Sequence, residues 1–301
     1  MKTFLKHILA LLTIAGLITA CSDEKTPTQP QAMGPVRAPQ ANVPGKTSED
    51  ESAAVFQATG STVDAIQNTV AAYRIALGEP NNGNQGSLTT GHREINWDGG
   101  STTNQSTSIA GNPSIVFKVN RGAVFTTPDG TGFIQAPPDA DPVLFPPGGM
   151  AGEFKNPTYG TIFTPFSPSR LFSAIGSNVT EVTFFVPGAG NGQPATVNGF
   201  GSVFTDVDQP HGSLTGQIYG DGPVSTLIEY FGVDNELLFS SSVPASQGNG
   251  SLSFLGVVFP DARIFKVRIT SGNVAPGPDD RGNKDVVMMD DFLYGEPKGL
   301  Q

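Results

Sequence analysis

From residue 93 onward, apolar and polar positions alternate in short runs. In Glu94-Ile95-Asn96-Trp97-Asp98 the pattern puts Ile95 and Trp97 on one face of a strand. Comparable runs lie at 114–119, 123–126, 132–135, 170–173, 181–186, 195–207, 213–219, 224–231, 236–241, 251–259, 263–271 and 285–294. Turn pairs such as Asn191-Gly192, Asp221-Gly222, Asn249-Gly250 and Gly282-Asn283 separate some of them. Many short strands without intervening helices predict an all-β fold, an antiparallel two-sheet jelly-roll-like sandwich. One N-terminal amphipathic helix is predicted over 61–77. There Val63, Ile66, Val70, Tyr73 and Leu77 recur at three- and four-residue steps, Ser61 is the expected N-cap, and Gly78 and Pro80 end the run.

Composition sharpens this division. Gly (37) and Pro (25) are abundant and charged residues are only 15% of the 301-residue chain, which excludes a helical bundle. Residues 1–20 read as an export leader. Lys2 and Lys6 precede an apolar run from Ile8 to Ala20 that is too short to span a bilayer as a helix. Residues 21–54 form a Pro-rich, disordered linker, with Pro27, Pro30, Pro35, Pro39 and Pro44 favouring extended chain. Residues 55–92 hold the helix and a Gly-rich loop, 93–296 the β-sandwich domain, and 297–301 a tail. The segment 137–168 is a long Pro/Gly-rich loop of the kind often used for binding.

The end of the leader, Leu17-Ile18-Thr19-Ala20-Cys21, resembles a bacterial lipobox, and Cys21 is the one cysteine of the chain. The resemblance implies lipidation of Cys21 and membrane attachment through it. Two or more acyl chains give stable anchoring. Ser22 in place of Asp after the cysteine implies an outer-membrane lipoprotein of the cell envelope, periplasmic or surface-exposed. Removing Lys2 and Lys6 leaves 15 basic against 27 acidic residues, a net charge of −12. That surface excludes nucleic acid as a partner.

The C-terminal third carries Gly199-Phe200-Gly201 leading to Val203-Phe204-Thr205-Asp206-Val207-Asp208. Further on come Leu227-Ile228-Glu229-Tyr230-Phe231, Ser253-Phe254-Leu255-Gly256-Val257 and Met289-Asp290-Asp291-Phe292-Leu293-Tyr294-Gly295. These stretches resemble the exported β-sandwich domains of PEP-CTERM and "choice-of-anchor" surface proteins. The Asp-Asp-Phe ending is also similar to that of jelly-roll carbohydrate-binding modules. That second resemblance implies a structural calcium near the last strand.

Calcium takes six to eight hard oxygens, so clustered carboxylates are its candidate ligands. These are Asp290 and Asp291, Glu94 and Asp98, Asp206 and Asp208. First and last strands of a jelly roll lie close, which would bring Glu94 or Asp98 to Asp290 or Asp291. Adjacent Asp290 and Asp291 are expected on opposite faces, so that one points inward and needs a partner. Asp279, Asp280 and Asp285 read as a solvated hairpin loop. Tyr159, in the long loop, is the candidate sugar platform, whereas Trp97 reads as core. Neither a His-Glu-x-x-His pair nor a Gly-x-Ser-x-Gly elbow is present, and only His92 and His211 follow the leader. The leading expectation is a lipid-anchored binding or adhesion module for a glycan or protein ligand. The alternatives are a structural envelope lipoprotein without a small-molecule ligand and a polysaccharide-active enzyme using Glu94/Asp98 or Asp206/Asp208.

Overall fold

Strands form where aromatic and β-branched residues recur between glycine-bearing turns. In chain order they are β1 (Val36–Arg37), β2 (Ala54–Gly60), β3 (His92–Ile95), β4 (Thr107–Ile109), β5 (Ala123–Thr126), β6 (Gly132–Ala136), β7 (Leu171–Ile175) and β8 (Val179–Phe184). They continue as β9 (Ala195–Thr196), β10 (Gly199–Thr205), β11 (Leu227–Phe231), β12 (Leu237–Ser242), β13 (Leu252–Val258), β14 (Lys266–Thr270), β15 (Met288–Gly295) and β16 (Lys298–Gly299). The helices are α1 (Val63–Leu77), α2 (Lys118–Arg121), α3 (Gly149–Glu153) and α4 (Tyr159–Ile162). The computed structural model describes residues 52–83, 86–99, 103–188, 192–208, 226–246 and 248–300, with the backbone of β1. The leader, Cys21, most of the 21–54 linker, His211 and the expected strand at 213–219 lie outside the described residues.

The described chain is mostly β, in antiparallel sheets with few helices, and its arrangement is sandwich-like. The first sheet runs β1-β2-β13-β10-β15-β7-β6-β4 and the second β12-β11-β14-β8-β5, while β16 and β9 form a small ribbon. Between the two sheets lies an aromatic core. The Trp97 ring stacks on Phe172 at 4.0 Å between centroids, and Phe125, Phe133, Phe200 and Phe292 pack around them.

The first sheet is covered on its other face as well. Ile66, Val70, Tyr73 and Leu77 of α1 pack on Val203, Leu252, Phe254 and Leu293. Beside them, Met150, Phe154, Tyr159 and Phe163 pack on Ile134, Leu171 and Met288. Every residue of β10 and β15 is therefore buried, and neither strand alternates in polarity. The second sheet keeps one face in water, so β8, β11 and β14 alternate between buried and half-buried residues.

Several boundaries differ from the sequence expectation. β2, from the 55–92 region, pairs with β13, so the sheet recruits residues placed outside 93–296. β16, in the expected tail, pairs with β9, and β1, in the expected linker, pairs with β2. Residues 114–119 are not a strand. Ser114 makes one bridge to Phe125, and the chain then turns into α2, leaving Ile115, Val116 and Val119 exposed. Thr62 rather than Ser61 is the N-cap of α1, and it forms no side-chain capping bond.

A glycine groove seats α1. Gly201 and Gly256 face each other across β10 and β13, beneath the Tyr73 ring. A Cβ on Gly256 would lie 2.6 Å from Tyr73 Cε2, and one on Gly199 2.6 Å from Leu77 Cδ2. The Tyr73 hydroxyl then donates to the Val257 carbonyl at 3.1 Å. Gly256→Val should cost about 1–3 kcal/mol by overpacking this groove. Denaturant titration checks it, and unchanged stability would mean the ring does not bear on the strand.

Candidate functional site

The sequence-predicted acidic residues fall into two sets at two places. The first lies on the edge of β15 opposite β10. That edge is shared: β3 pairs with Phe292–Gly295, and β7 pairs at Met289. Asp290 and Asp291 sit between the two partners. The register against β10 also shifts here, with Ser202 opposite Phe292 and Val203 opposite Asp290. Both aspartates are buried, because this sheet is covered on both faces, and the register shift interrupts the regular alternation between them.

Protein donors meet these carboxylates. Asp290 Oδ2 accepts from the backbone N–H groups of Phe166 (2.6 Å) and Ser167 (3.0 Å), and its Oδ1 accepts from Asp291 N–H at 2.8 Å. Asp98 Oδ1 accepts from Ser169 N–H (2.7 Å) and Arg170 N–H (2.9 Å). The Ser167 hydroxyl lies 2.6 Å from Asp291 Oδ1, 3.2 Å from Asp98 Oδ2 and 3.4 Å from Asp290 Oδ1. Having one proton, it donates to the nearest, Asp291. Burial, then the charge of Asp291, pushes Asp290 well above the usual carboxylate range. Burial raises Asp291 too, against the Ser167 hydrogen bond. A proton is thus readily held within the pair.

Glu94 completes this set. It accepts from Arg74 Nε at 2.7 Å and Nη2 at 3.0 Å, and pairs with His92 Nε2 at 2.9 Å. Burial alone would raise its pKa, but the His92 and Arg74 hydrogen bonds outweigh burial and hold it at about 2. Burial lowers and the Glu94 hydrogen bond raises His92, which ends above its ordinary value. The fold brings Glu94, Asp98, Asp290 and Asp291 together through the pairing of β3, the third strand, with β15 and through the Ser167 hydroxyl. Their donors are backbone amides, Arg74, His92 and Ser167. Neither Arg74 nor Ser167 carried a sequence signal, because each arrives from a distant segment.

The second set lines a cleft of about 150 Å³ formed by Ile162, Asp206, Asp208, Asn249, Asp280, Lys284, Asp285 and Val286. Strand register explains it. Thr205 pairs with Met288 on one side and Leu252 on the other, so the residues beyond those three strand ends converge. Asp206 N–H donates to the Ser251 carbonyl at 3.0 Å, and Asp208 N–H to Asp285 Oδ1 at 3.4 Å. Asp206 and Asp285 are both buried. The expectation that Asp285 belongs to a solvated loop is corrected here, since it is buried, whereas Asp280 is partly exposed in that loop and lines the cleft. Asp279 fits the expectation, being partly exposed and paired with Arg281 and Lys284.

Asp206 differs from the carboxylates at β15. It is 6% exposed, and among the described residues its Oδ1 has no hydrogen-bond partner. Burial, followed by the charges of Asp208, Asp285 and Asp280, pushes its pKa up to about 8. Its backbone φ of +68° lies in the left-handed region, which Asp tolerates better than most residues.

Tyr159 is not a surface platform. It is wholly buried between Phe154 and Phe163, and its hydroxyl donates to the Gly277 carbonyl at 2.9 Å. Within the long Pro/Gly-rich segment, Met150, Phe154, Tyr159 and Phe163 cover the first sheet, while Val143 and Leu144 are exposed. Trp97 lies in the core. Comparison of the chain with family models, curated proteins and solved structures returns no match.

The Arg74–Glu94–His92 cluster makes a specific acid-stability prediction. A carboxylate held below its unfolded value stabilises the fold above the unfolded pKa and ceases to do so as pH falls through the folded one. The wild-type chain should therefore lose this contribution between about pH 4.5 and 2. Glu94→Gln should cost about 1–3 kcal/mol at neutral pH and flatten that part of the acid limb. Melting temperatures of both proteins from pH 2 to 7 test this, and parallel curves would refute it.

Proposed function

We propose that the chain is a non-catalytic binding module of the bacterial cell envelope, anchored through acylated Cys21 and recognising a neutral glycan. In this reading the sandwich is of the jelly-roll kind and projects from the outer membrane on the 21–54 linker. The observation that carries the binding role is the uncovered face of the second sheet. Along it, register aligns Leu237, Ser240 and Ser242 of β12 with Phe231, Glu229 and Leu227 of β11. The same face continues through Lys266, Arg268 and Thr270 of β14 to Thr183, Glu181 and Val179 of β8.

Its charges are largely paired within the face. Arg268 Nη2 lies 2.7 Å and Lys266 Nζ 3.9 Å from Glu181 Oε1, and Lys266 also stands 4.8 Å above the Phe231 ring. Hydroxyls, planar guanidinium and carboxylate groups and an aromatic ring suit a polyhydroxylated ligand. The net charge of −12 for the mature chain disfavours a polyanionic one. Against an enzymatic role, Glu94, Asp98 and Asp290 are held by backbone, arginine or histidine donors.

A glycan panel probed with the acylated chain in detergent should show saturable binding to neutral polysaccharide. Phe231→Ala and Arg268→Ala should each weaken it at least tenfold with an unchanged melting temperature. A blank panel would sink the glycan reading and favour a structural envelope role. Cys21→Ser should move the chain from the detergent phase to the aqueous phase on partition. Wild-type-like partition would refute acylation at Cys21.

A further inference from the structure

We propose that the cleft at the Thr205 end of β10 binds one calcium ion. Asp206 Oδ1 would be a direct ligand, and Asp208, Asp280, Asp285 and Asn249 would supply further oxygens directly or through water. The inference goes beyond the glycan reading and shares no residue with it.

The argument begins with Asp206. A buried carboxylate oxygen without a donor is costly, and burial 6% short of complete leaves little water to compensate. The groups facing Asp206 make matters worse. Asp208, Asp280 and Asp285 all add negative charge. Among the described residues the one cation lining the cleft, Lys284, gives its ammonium to Asp279 at 2.7 Å and does not neutralise Asp206. One oxygen of Asp280, Oδ2, accepts from the Thr158 hydroxyl.

The chemistry selects the ion. Among the described residues, every polar side chain lining the cleft except Lys284 offers oxygen, and neither histidine nor cysteine is among them. Hard oxygen donors favour calcium or magnesium over softer metals. The cleft's 150 Å³ also accommodates several waters at about 30 Å³ each. Among the described residues no three acidic, histidine or cysteine side chains already stand at metal-binding spacing. Binding must therefore draw the carboxylates inward. Calcium's variable six- to eight-fold coordination permits that better than magnesium's rigid octahedron.

The ion would tie together three neighbouring strand ends. Asp206 follows β10, Asn249 precedes β13, and Asp285 precedes β15. Its loss should loosen the middle of the first sheet.

The test uses the full acylated chain in detergent, stripped of metal with EDTA. Calcium titrated by calorimetry should bind one per chain, and a hundredfold excess over Kd should raise the melting temperature by roughly 5–10 °C. Magnesium at the same concentration should do much less. Asp206→Asn should weaken calcium at least tenfold, while Asp279→Asn, a partly exposed residue of the same loop, should not. If Asp206→Asn fails to fold, the wild-type chain still decides the matter. In EDTA its melting temperature should fall as pH rises from about 4 to about 8, because a carboxylate whose folded pKa is raised contributes stability that is lost as pH rises through that pKa. Calcium should abolish that fall. Unchanged melting with and without calcium, or undiminished calcium affinity in a folded Asp206→Asn variant, would overturn the proposal. Phe231→Ala should keep the calcium response whether or not it binds glycan, so the two readings fail separately.

Discussion

The carboxylate of Asp290 takes the N–H groups of Phe166 and Ser167, and the centre of the first sheet depends on that contact. β15 has β10 along one edge, but the other edge is divided between β3 and β7. At the division, the ladder alone does not supply every backbone partner. Asp290 bridges the gap with a side chain, and Asp98 does the same two residues further along the incoming chain. Removing either carboxylate would strand amides in a poorly hydrated place. The register shift opposite Ser202 falls at the same place, and Ser202 Oγ donates back to the Asp290 carbonyl at 3.0 Å.

Covering this sheet twice has consequences for its neighbours. With both faces buried, its central strands carry no polar stripe, and the helix above must come close to the backbone. Gly199, Gly201 and Gly256 allow that approach. Apolar residues of 149–163 do the equivalent work over β6 and β7. The second sheet receives no such cover, so its outward residues are free to be polar. The division between a structural sheet and a presenting sheet follows from where the chain spends its helix and its long Pro/Gly segment.

Local pattern revealed much of this. The runs at 123–126 and 132–135 correspond closely to β5 and β6. The stripe Ile66, Val70, Tyr73 and Leu77 is the buried face of α1. Alternation failed where its premise fails. β2 and β4 are too short or too mixed to announce themselves, and Ile115 and Val116 are apolar yet exposed beside a turn. Tyr159 lay in a segment whose Pro and Gly content resembles a surface loop, although its aromatic residues serve as a lid on the sheet. The acidic clusters were visible as residues but not as groups. Asp206 and Asp285 are joined only by the Thr205–Met288 register, which is a property of strand pairing between distant segments. Arg74 and Ser167 are joined to Glu94 and Asp291 in the same non-local way.

Two buried acidic sets in one molecule permit an internal comparison. At β15 the fold supplies backbone amides, a guanidinium, an imidazole and a hydroxyl, and Glu94 is held near pKa 2 despite burial. At the end of β10 the described residues supply Asp206 with three further carboxylates and no donor to Oδ1, and burial with those charges drives that pKa to about 8. Burial is common to both, so the difference lies in the partners. A chain that surrounds Glu94 and Asp98 with guanidinium, imidazole and amide donors has the means to do the same for Asp206. At Asp206 it instead gathers oxygens, and the ammonium of Lys284, which lines the same cleft, pairs with Asp279. That arrangement is stable only when positive charge comes from outside the chain, as a proton at low pH or as a metal ion at neutral pH.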